Sequence, residues 1–294
     1  MKSANNSTEV IEVYLISDII YFIVYHVVGY RKRVVRENLS ACFPERDMRW
    51  LKQTERRFYR YLADLAIEFV YNLFASPQSI KSRYRITNRQ LVDRYFEQGQ
   101  TVVLMSAHYG NWEYMVSSLN MQLLHHGIGV GKPLDDKSVA GFITRRRTRY
   151  GTQVVDQTDV RQHVAFFHEH HVPCALMMLS DQSPSNPHKS YWTQFLGRDT
   201  AFLYGAEYFA RKYNYPVLYY HVSCIKRGYY EVTFSALCEH PQDVPQYSIV
   251  EQYVRTLERH IVEQPEYWLW SHRRWKLTHE GRIMKDGTLK IIKQ

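Results

Sequence analysis

The hydrophobic positions of this chain alternate between the spacing of a helix and short continuous runs. Asp47–Phe74 has no Gly or Pro and carries apolar residues at helical spacing, which predicts a helix that ends before Pro77. Thr101–Met105 (TVVLM) is a short apolar run that follows Gly99, as in a strand buried on both faces. The same reasoning predicts further helices at Trp112–Leu124, Asp136–Tyr150, Val160–His170, Tyr204–Tyr213 and Tyr247–Val262, and further strands at Thr152–Val155, Pro173–Leu179, Pro216–Val222 and Tyr230–Ser235. Alternating strands and helices predict an α/β sheet with helices on its faces.

The N-terminal apolar segment Val10–Val28 is interrupted by Glu12, Asp18 and His26. A spanning helix needs about 20 predominantly apolar residues, and one acid near its centre costs roughly 2.5–3.5 kcal/mol. The segment therefore predicts a hydrophobic or amphipathic helix that lies in a membrane interface; the alternative is a core helix followed by a solvated basic turn. The residues expected at the polar margin of the interface are Arg31, Lys32, Arg33 and Arg36.

The charge balance favours anionic partners. Lys and Arg number 38 against 29 Asp and Glu, a formal net charge of +9. Such a surface suits nucleic acid, an anionic membrane or a phosphorylated substrate. The aromatic residues are scattered through apolar runs, which favours a core, an acyl channel or a membrane interface over the stacking of nucleobases. We therefore expect no nucleic-acid partner.

Several common kinds of site are not indicated by the motifs. There is no phosphate-binding G-x-x-x-x-G-K-[ST] or G-x-G-x-x-G, and neither Ser106 nor Ser183 stands in a G-x-S-x-G nucleophile turn. His168–His171 resembles a ligand cluster, but no Cys or acidic partner follows at metal spacing. The four cysteines form no C-x-x-C pair and are expected to be free thiols. The sequence predicts neither a cofactor nor a metal.

The strongest chemical signal follows the predicted strand Thr101–Met105. Ligands of α/β sheets bind at the carboxyl ends of strands, which is where His108 stands. Neutral imidazole can take a proton from a hydroxyl nucleophile near pH 7. Glu113, in the first turn of the next helix, could hold the second ring nitrogen and stabilise the imidazolium. The alternative is a loop histidine beside an acid that complements the helix dipole.

Two further groups of residues are candidates for substrate contacts. Asp181 and Gln182 follow the predicted strand Pro173–Leu179, so they either form a wall of the site beside His108 or merely open a turn. The basic residues near the chain end either form a second anion site or complement an acidic surface. These basic residues are His272, Arg273 and Arg274.

The segment His108–Glu113 (HYGNWE) resembles the H-x4-D/E motif of the bacterial lipid A biosynthesis acyltransferases. That family is the late, lauroyl/myristoyl-type branch of the lysophospholipid acyltransferase superfamily. Further blocks resemble the family in the same order and together cover nearly the whole chain. They are Val27–Leu39 with Phe43-Pro44, Gly131–Leu134, Arg145–Gly151, Leu179–Pro184 and Tyr267–Lys276.

The resemblance implies a fold and a location. The fold would be a mixed central sheet flanked by helices, similar to that of glycerol-phosphate acyltransferases. Residues 1–45 would form a membrane-associated helical segment and residues 46–294 the catalytic domain. Family members usually begin with a longer hydrophobic stretch, whereas here only Met1–Glu9 precedes the apolar segment. This departure favours a monotopic or peripheral enzyme on the cytoplasmic face of the bacterial inner membrane, or a shortened chain.

The resemblance also implies a reaction. An acyl chain would move from a thioester, with acyl carrier protein as donor, to a hydroxyl of a phosphorylated lipid A precursor. His108 would be the general base and Glu113 its orienting partner. Arg145 and Arg147 would bind a substrate phosphate or the oxyanion, and Lys132 would add a point charge near a phosphate.

Two alternatives remain open at this point. The same chemistry could serve a lysophospholipid or another glycolipid or aminolipid as acceptor. A protein of a different class, a basic membrane-binding protein without turnover, would share the charge and the N-terminal segment but not the reaction.

Overall fold

The computed structural model of the protein describes residues 14–131 and 137–293. Glu12 of the predicted apolar segment and Lys132 lie outside this range. The predicted helix Asp47–Phe74 is confirmed as α3, which begins where the Asp47 carboxylate accepts a hydrogen bond from the Trp50 N–H. The N-terminal helices are α1 (residues 14–22, continued by a π-helical turn at Ile23–Val28), α2 (Lys32–Cys42), α3 (Met48–Phe74) and α4 (Pro77–Arg83).

From Gln90 to Leu179 helices and strands alternate along the chain, as the hydrophobic pattern predicts, whereas later strands also follow one another directly. The remaining helices are α5 (Gln90–Glu97), α6 (Trp112–Gln122), α7 (Lys137–Arg147), α8 (Val160–Glu169), α9 (Gly205–Tyr213) and α10 (Ser248–Glu263). The strands are β1 (Tyr84–Ile86), β2 (Val102–Ser106), β3 (His126–Gly131), β4 (Gln153–Asp156), β5 (Cys174–Leu179), β6 (Ser190–Phe195), β7 (Arg198–Leu203), β8 (Val217–Lys226), β9 (Tyr229–Cys238), β10 (Gly281–Ile283) and β11 (Leu289–Ile291).

A seven-stranded sheet of mixed direction forms the centre of the protein, in the order β1-β9-β8-β2-β5-β3-β4. The five strands from β8 to β4 in this order pair in parallel, whereas β9 is antiparallel to β8 and β1 is parallel to β9. Two small antiparallel sheets, β6–β7 and β10–β11, lie outside it. The expected α/β fold with a mixed sheet is confirmed.

Strand β2 lies at the centre of the sheet and is buried along its whole length. Val103 and Met105 belong to the apolar cluster on one face, and Val102 and Leu104 to the cluster on the other. Burial on both faces explains the continuous apolar run, and each such side chain contributes roughly 1.5–3 kcal/mol to folding. The first cluster also takes in Val35 of α2, so the N-terminal helices pack on the same core as the sheet.

Helix α1 has one face on the protein and one in solvent. The Tyr14 hydroxyl donates to Glu68 of α3 at 2.8 Å. On the opposite face Leu15, Ile19 and Phe22 are 58%, 60% and 57% exposed. No helix within the described residues is both long and apolar enough to cross a membrane.

Candidate active site

The loop between β2 and α6 carries His108, and its shape depends on close packing. Gly110 has a φ of +58°, and a Cβ there would lie 2.7 Å from the carbonyl oxygen of Val222. The Asn111 side chain caps α6 by accepting from the Tyr114 N–H at 3.2 Å, and its amide donates to Glu68 at 2.6 Å. These contacts fix the loop at the carboxyl end of β2, as predicted for His108.

Asp181 holds the His108 ring. Its Oδ1 lies 2.7 Å from Nδ1 of His108, while its Oδ2 accepts from the His108 backbone N–H at 3.1 Å and from the Trp268 indole N–H at 2.9 Å. Burial by itself raises the pKa of Asp181, but the neighbouring His108 and the Trp268 donor outweigh it and keep that pKa below its usual range. The arrangement suits a carboxylate that receives Nδ1–H and leaves Nε2 as the acceptor nitrogen.

Gln182 covers the second ring nitrogen of His108. Its Nε2 lies 3.0 Å from Nε2 of His108, so the amide N–H donates to the imidazole in the tautomer whose Nδ1–H donates to Asp181. The Trp112 ring packs edge-on against the imidazole, with ring centroids 5.0 Å apart. Asp181 and Gln182 therefore both contact His108, as expected if they form a wall of the site.

Glu113 does not occupy the place that the sequence analysis gave it. The carboxylate on Nδ1 of His108 is Asp181, and Glu113 instead forms an ion pair with Arg147 at the end of α7. Nε of Arg147 lies 2.9 Å from Oε2 of Glu113, and Nη2 lies 3.3 Å from Oε1. Asp181 reaches the ring because β5 pairs directly with β2, with Leu179 opposite Ser106.

A cavity of about 330 Å³ opens beside these groups. The polar residues of its lining are His108, Glu113, Arg147, Gln157 and Gln182, and the rest of the lining is apolar. This size lies at the lower end of ordinary ligand pockets, which are mostly apolar with a few convergent polar groups. The apolar lining consists of Trp112, Val116, Val130, Val154, Met177, Leu179 and Leu203, with Gly129 and Gly131 of β3.

The arginine-rich end of α7 has two kinds of contact. Arg145 is exposed. Arg147 faces the cavity, as described. Arg146 and Arg149, which the sequence analysis did not single out, bind carbonyls at the end of α3: Nε of Arg146 donates to Leu73 at 2.5 Å, and Nη2 of Arg149 donates to the Asn72 carbonyl at 2.8 Å. Part of this basic run therefore stabilises the fold.

The predicted second anion site at His272–Arg274 does not form as a cluster. His272 lies near the site, where its Nε2 accepts from the Ser183 N–H at 3.3 Å, and burial lowers its pKa to about 4. Arg273 donates to a carbonyl beyond β10 at 3.1 Å. Arg274 is almost fully buried and donates to the Ala201 carbonyl at 2.5 Å. The three side chains have three different partners.

Trp268 is the site residue that the sequence analysis missed. It lies within the predicted block Tyr267–Lys276, forms a β-bridge with Tyr109, and its indole binds Asp181. Nothing in its local sequence distinguishes it from the other tryptophans of that block. Among residues 14–131 and 137–293, no group of three or more His, Cys, Asp or Glu side chains could hold a metal ion.

The four basic residues expected at a membrane surface differ in their contacts. Arg31 donates to the Ser271 carbonyl at 3.0 Å, and Arg36 binds the buried Glu55 through two hydrogen bonds. Lys32 lies over a tyrosine ring, and Arg33 pairs with Glu37 on the solvent side of α2. Arg31 and Arg36 are thus held by hydrogen bonds to other parts of the fold, whereas Lys32 contacts the Tyr25 ring and Arg33 pairs within its own helix.

The chain resembles known proteins over most of its length. A sequence model of the bacterial lipid A biosynthesis acyltransferases matches residues 15–277. A lipid A biosynthesis acyltransferase from Haemophilus influenzae is 23% identical over 249 residues, which are 84% of this chain and 78% of the relative. The protein belongs to the bacterial lipid A biosynthesis acyltransferase family and is an acyltransferase.

Proposed function

We propose that the protein moves a fatty acyl chain from the thioester of acyl carrier protein to a hydroxyl of a phosphorylated lipid A precursor, with His108 as general base. The observation that supports this most directly is the pairing of Asp181 with Nδ1 of His108, which leaves Nε2 directed toward the cavity. A base held in this way is worth roughly 10²–10⁴-fold in rate.

The proposed reaction uses each of these contacts. The acceptor hydroxyl displaces the Gln182 amide and donates to Nε2 of His108. As its oxygen attacks the thioester carbonyl, the proton passes to Nε2, and Asp181 stabilises the imidazolium. The tetrahedral intermediate then collapses, the C–S bond breaks, and the thiolate takes the proton back from His108. The products are an ester and a free thiol.

Glu113 acts on substrate through Arg147 in this proposal. The ion pair uses Nε and Nη2 of Arg147 and keeps the guanidinium at the cavity wall, with Nη1 available to a substrate phosphate or to the oxyanion. Arg145 on the exposed side of the same helix end would meet a second charged group of the acceptor. Lys132 would act in the same region.

We further propose that the helical segment within residues 1–45 docks the enzyme on the cytoplasmic face of the inner membrane. Support comes from the exposed face of α1, formed by Leu15, Ile19 and Phe22, and from the cations Lys32 and Arg33 at the start of α2, the next helix along the chain. Apolar side chains would enter the interface while the cations remain among the anionic headgroups.

The test is transfer of a labelled acyl chain by the purified protein in mixed micelles, with the product identified by mass spectrometry. Acyl carrier protein and coenzyme A thioesters are compared as donors, and a phosphorylated lipid A precursor and a lysophospholipid as acceptors. His108→Ala is expected to lose more than nine-tenths of the turnover. His240→Ala, at an exposed position, is the control.

Different results point to different functions. Transfer only to the lysophospholipid would replace the proposed acceptor. A preference for the coenzyme A thioester would mean that the donor is acyl coenzyme A and not acyl carrier protein. Absence of transfer with every pair, together with firm binding to anionic vesicles, would favour a membrane-binding protein without turnover.

A further inference from the structure

A second cavity, of about 660 Å³, lies between the end of α3, helix α4 and the start of β9. It shares no lining residue with the cavity at His108. Val70 and Phe74 of α3 are 49% and 65% exposed on its rim, whereas Arg83 of α4 is only 7% exposed. The cavity therefore combines an apolar rim with a buried cation.

Arg83 differs from the other arginines of the interior. Within the described residues, its guanidinium has no carboxylate or carbonyl partner, although Arg147 pairs with Glu113 and Arg274 with a carbonyl. Glu68, the buried carboxyl of this region, already accepts from two tyrosines and Asn111. A buried charge without a counter-ion is costly, and an anionic ligand in the cavity would offset that cost.

The surroundings of Arg83 hold its guanidinium without using its N–H groups. The carbon of the guanidinium lies 4.5 Å from the ring centroid of Tyr71 and 5.3 Å from that of Tyr229. Aromatic rings bind the face of a guanidinium, while its N–H donors lie in the plane and remain available to a forked anion.

Hydroxyl groups supply further donors on the same wall. Ser79 and Ser82 of α4 line the cavity. The Ser79 hydroxyl is 2.6 Å from that of Tyr71, so one hydroxyl of this pair keeps its hydrogen for a ligand, whereas the Ser82 hydroxyl donates to the Ser79 carbonyl at 2.9 Å. Hydroxyls and a guanidinium together suit the several oxygens of a phosphate.

We propose that this cavity binds a phosphate headgroup that carries an apolar chain. The phosphate binds the N–H edge of Arg83 and the hydroxyl pair of Ser79 and Tyr71, and the chain lies along Val70 and Phe74. The site is separate from the acyl-transfer site and does not depend on the proposed reaction.

Calorimetric titration of the full protein with dodecyl phosphate, below its micelle concentration, tests the proposal. Arg83→Gln is expected to weaken binding at least tenfold. Arg85→Gln removes an exposed arginine two positions away, paired with Glu231, and is expected to bind within twofold of the wild type. Arg147→Gln removes phosphate binding at the other cavity and should leave the Arg83-dependent binding event in place. A loss in Arg147→Gln rather than in Arg83→Gln would put the ligand in the active site and overturn the proposal.

Two further ligands separate headgroup from chain. Inorganic phosphate should bind at least tenfold more weakly than dodecyl phosphate; equal affinity would mean a free-phosphate site and contradict a lipid ligand. Dodecyl maltoside has the same chain without the charge. If it bound as well as dodecyl phosphate, and equally in Arg83→Gln, the cavity would be an apolar groove only. Circular dichroism checks that each variant folds. Arg83→Lys keeps the charge but loses the forked pair of N–H donors, and it is expected to bind with intermediate affinity. It replaces Arg83→Gln if the glutamine variant does not fold.

Discussion

Asp181 and His108 stand at the carboxyl ends of two neighbouring parallel strands, with Oδ1 of the acid 2.7 Å from Nδ1 of the imidazole. The acid is buried, and its other oxygen is occupied by the indole N–H of Trp268. The pair therefore fixes the orientation of the ring and leaves Nε2 on the side of Gln182.

Asp181→Asn should lower kcat by at least about 10²-fold with little change in KM, because an amide can present its N–H to Nδ1 and favour the unproductive tautomer. Steady-state kinetics with saturating donor measures both constants. Asp199→Asn is a matched control, since Asp199 forms a 2.7 Å pair with His279 on the exposed surface. A loss of only a few-fold in Asp181→Asn would argue against the orienting role.

Arg147→Ala and Glu113→Gln should have non-additive effects, because Glu113 acts by holding the guanidinium. If Arg147 binds a phosphate, the KM for the acceptor rises; if it meets the oxyanion, kcat falls with KM little changed. Arg147→Lys should restore only part of the loss, since the fork is gone. Steady-state kinetics, measured with the acceptor concentration varied, distinguish these results when the two single variants are compared with the double variant. Full additivity would mean that the two side chains act separately.

Glu68→Gln should become relatively more stable as pH rises. Burial raises the pKa of Glu68 from its ordinary value of 4.5 to about 7. Hydrogen bonds from Tyr230, Tyr14 and Asn111 act in the opposite direction but do not outweigh burial. The folded state therefore binds this proton more tightly than the unfolded state. The contribution of protonated Glu68 to the free energy of unfolding is fully present below pH 4.5 and is lost as the pH rises to about 7. The wild type should lose up to about 3 kcal/mol relative to the variant over this window.

Urea denaturation of both proteins at intervals between pH 4.5 and 8 measures this difference. Glu97→Gln, at an exposed position on α5, controls for the loss of one carboxylate. A difference between wild type and Glu68→Gln that stays constant across the range would contradict the raised pKa.

Ile19→Ser combined with Phe22→Ser should weaken binding to anionic vesicles by at least about 100-fold, because the apolar burial lost with each side chain is worth roughly 1.5–3 kcal/mol. Met48→Ser, which changes a side chain that is 77% exposed on α3, is the control. Vesicle flotation at low and high salt measures the binding.

Charge reversal at Lys32 and Arg33 should cost about 1 kcal/mol for each cation. Arg31 and Arg36 are unsuitable for this test, since both are hydrogen-bonded to other elements of the fold, whereas Arg33 pairs only within α2. Retention of the Ile19 and Phe22 double variant on vesicles after a high-salt wash would show that α1 is not the docking surface.

The strongest local patterns were sufficient to predict much of the fold. Helix α3 and strand β2 follow from the spacing of apolar residues, because a helix with one buried face and a strand buried on both faces leave distinct periods in the sequence. Strand β3 (HGIGVG) was not found by this reasoning, since its glycines leave few apolar side chains to count. A Cβ at Gly127 would lie 2.5 Å from the Leu119 side chain, so the packing of α6 on the sheet requires the glycine.

The contrast between local sequence pattern and tertiary contact also applies to the two carboxylates near His108. The place of His108 at the end of a buried strand is a local property, and the sequence alone was enough to predict it. Glu113 is close to His108 along the chain, and chain distance suggested the pairing. Which acid reaches the ring depends instead on the order of strands in the sheet. Because β5 lies beside β2, Asp181 from a distant part of the chain contacts the imidazole, while Glu113 turns with α6 toward Arg147.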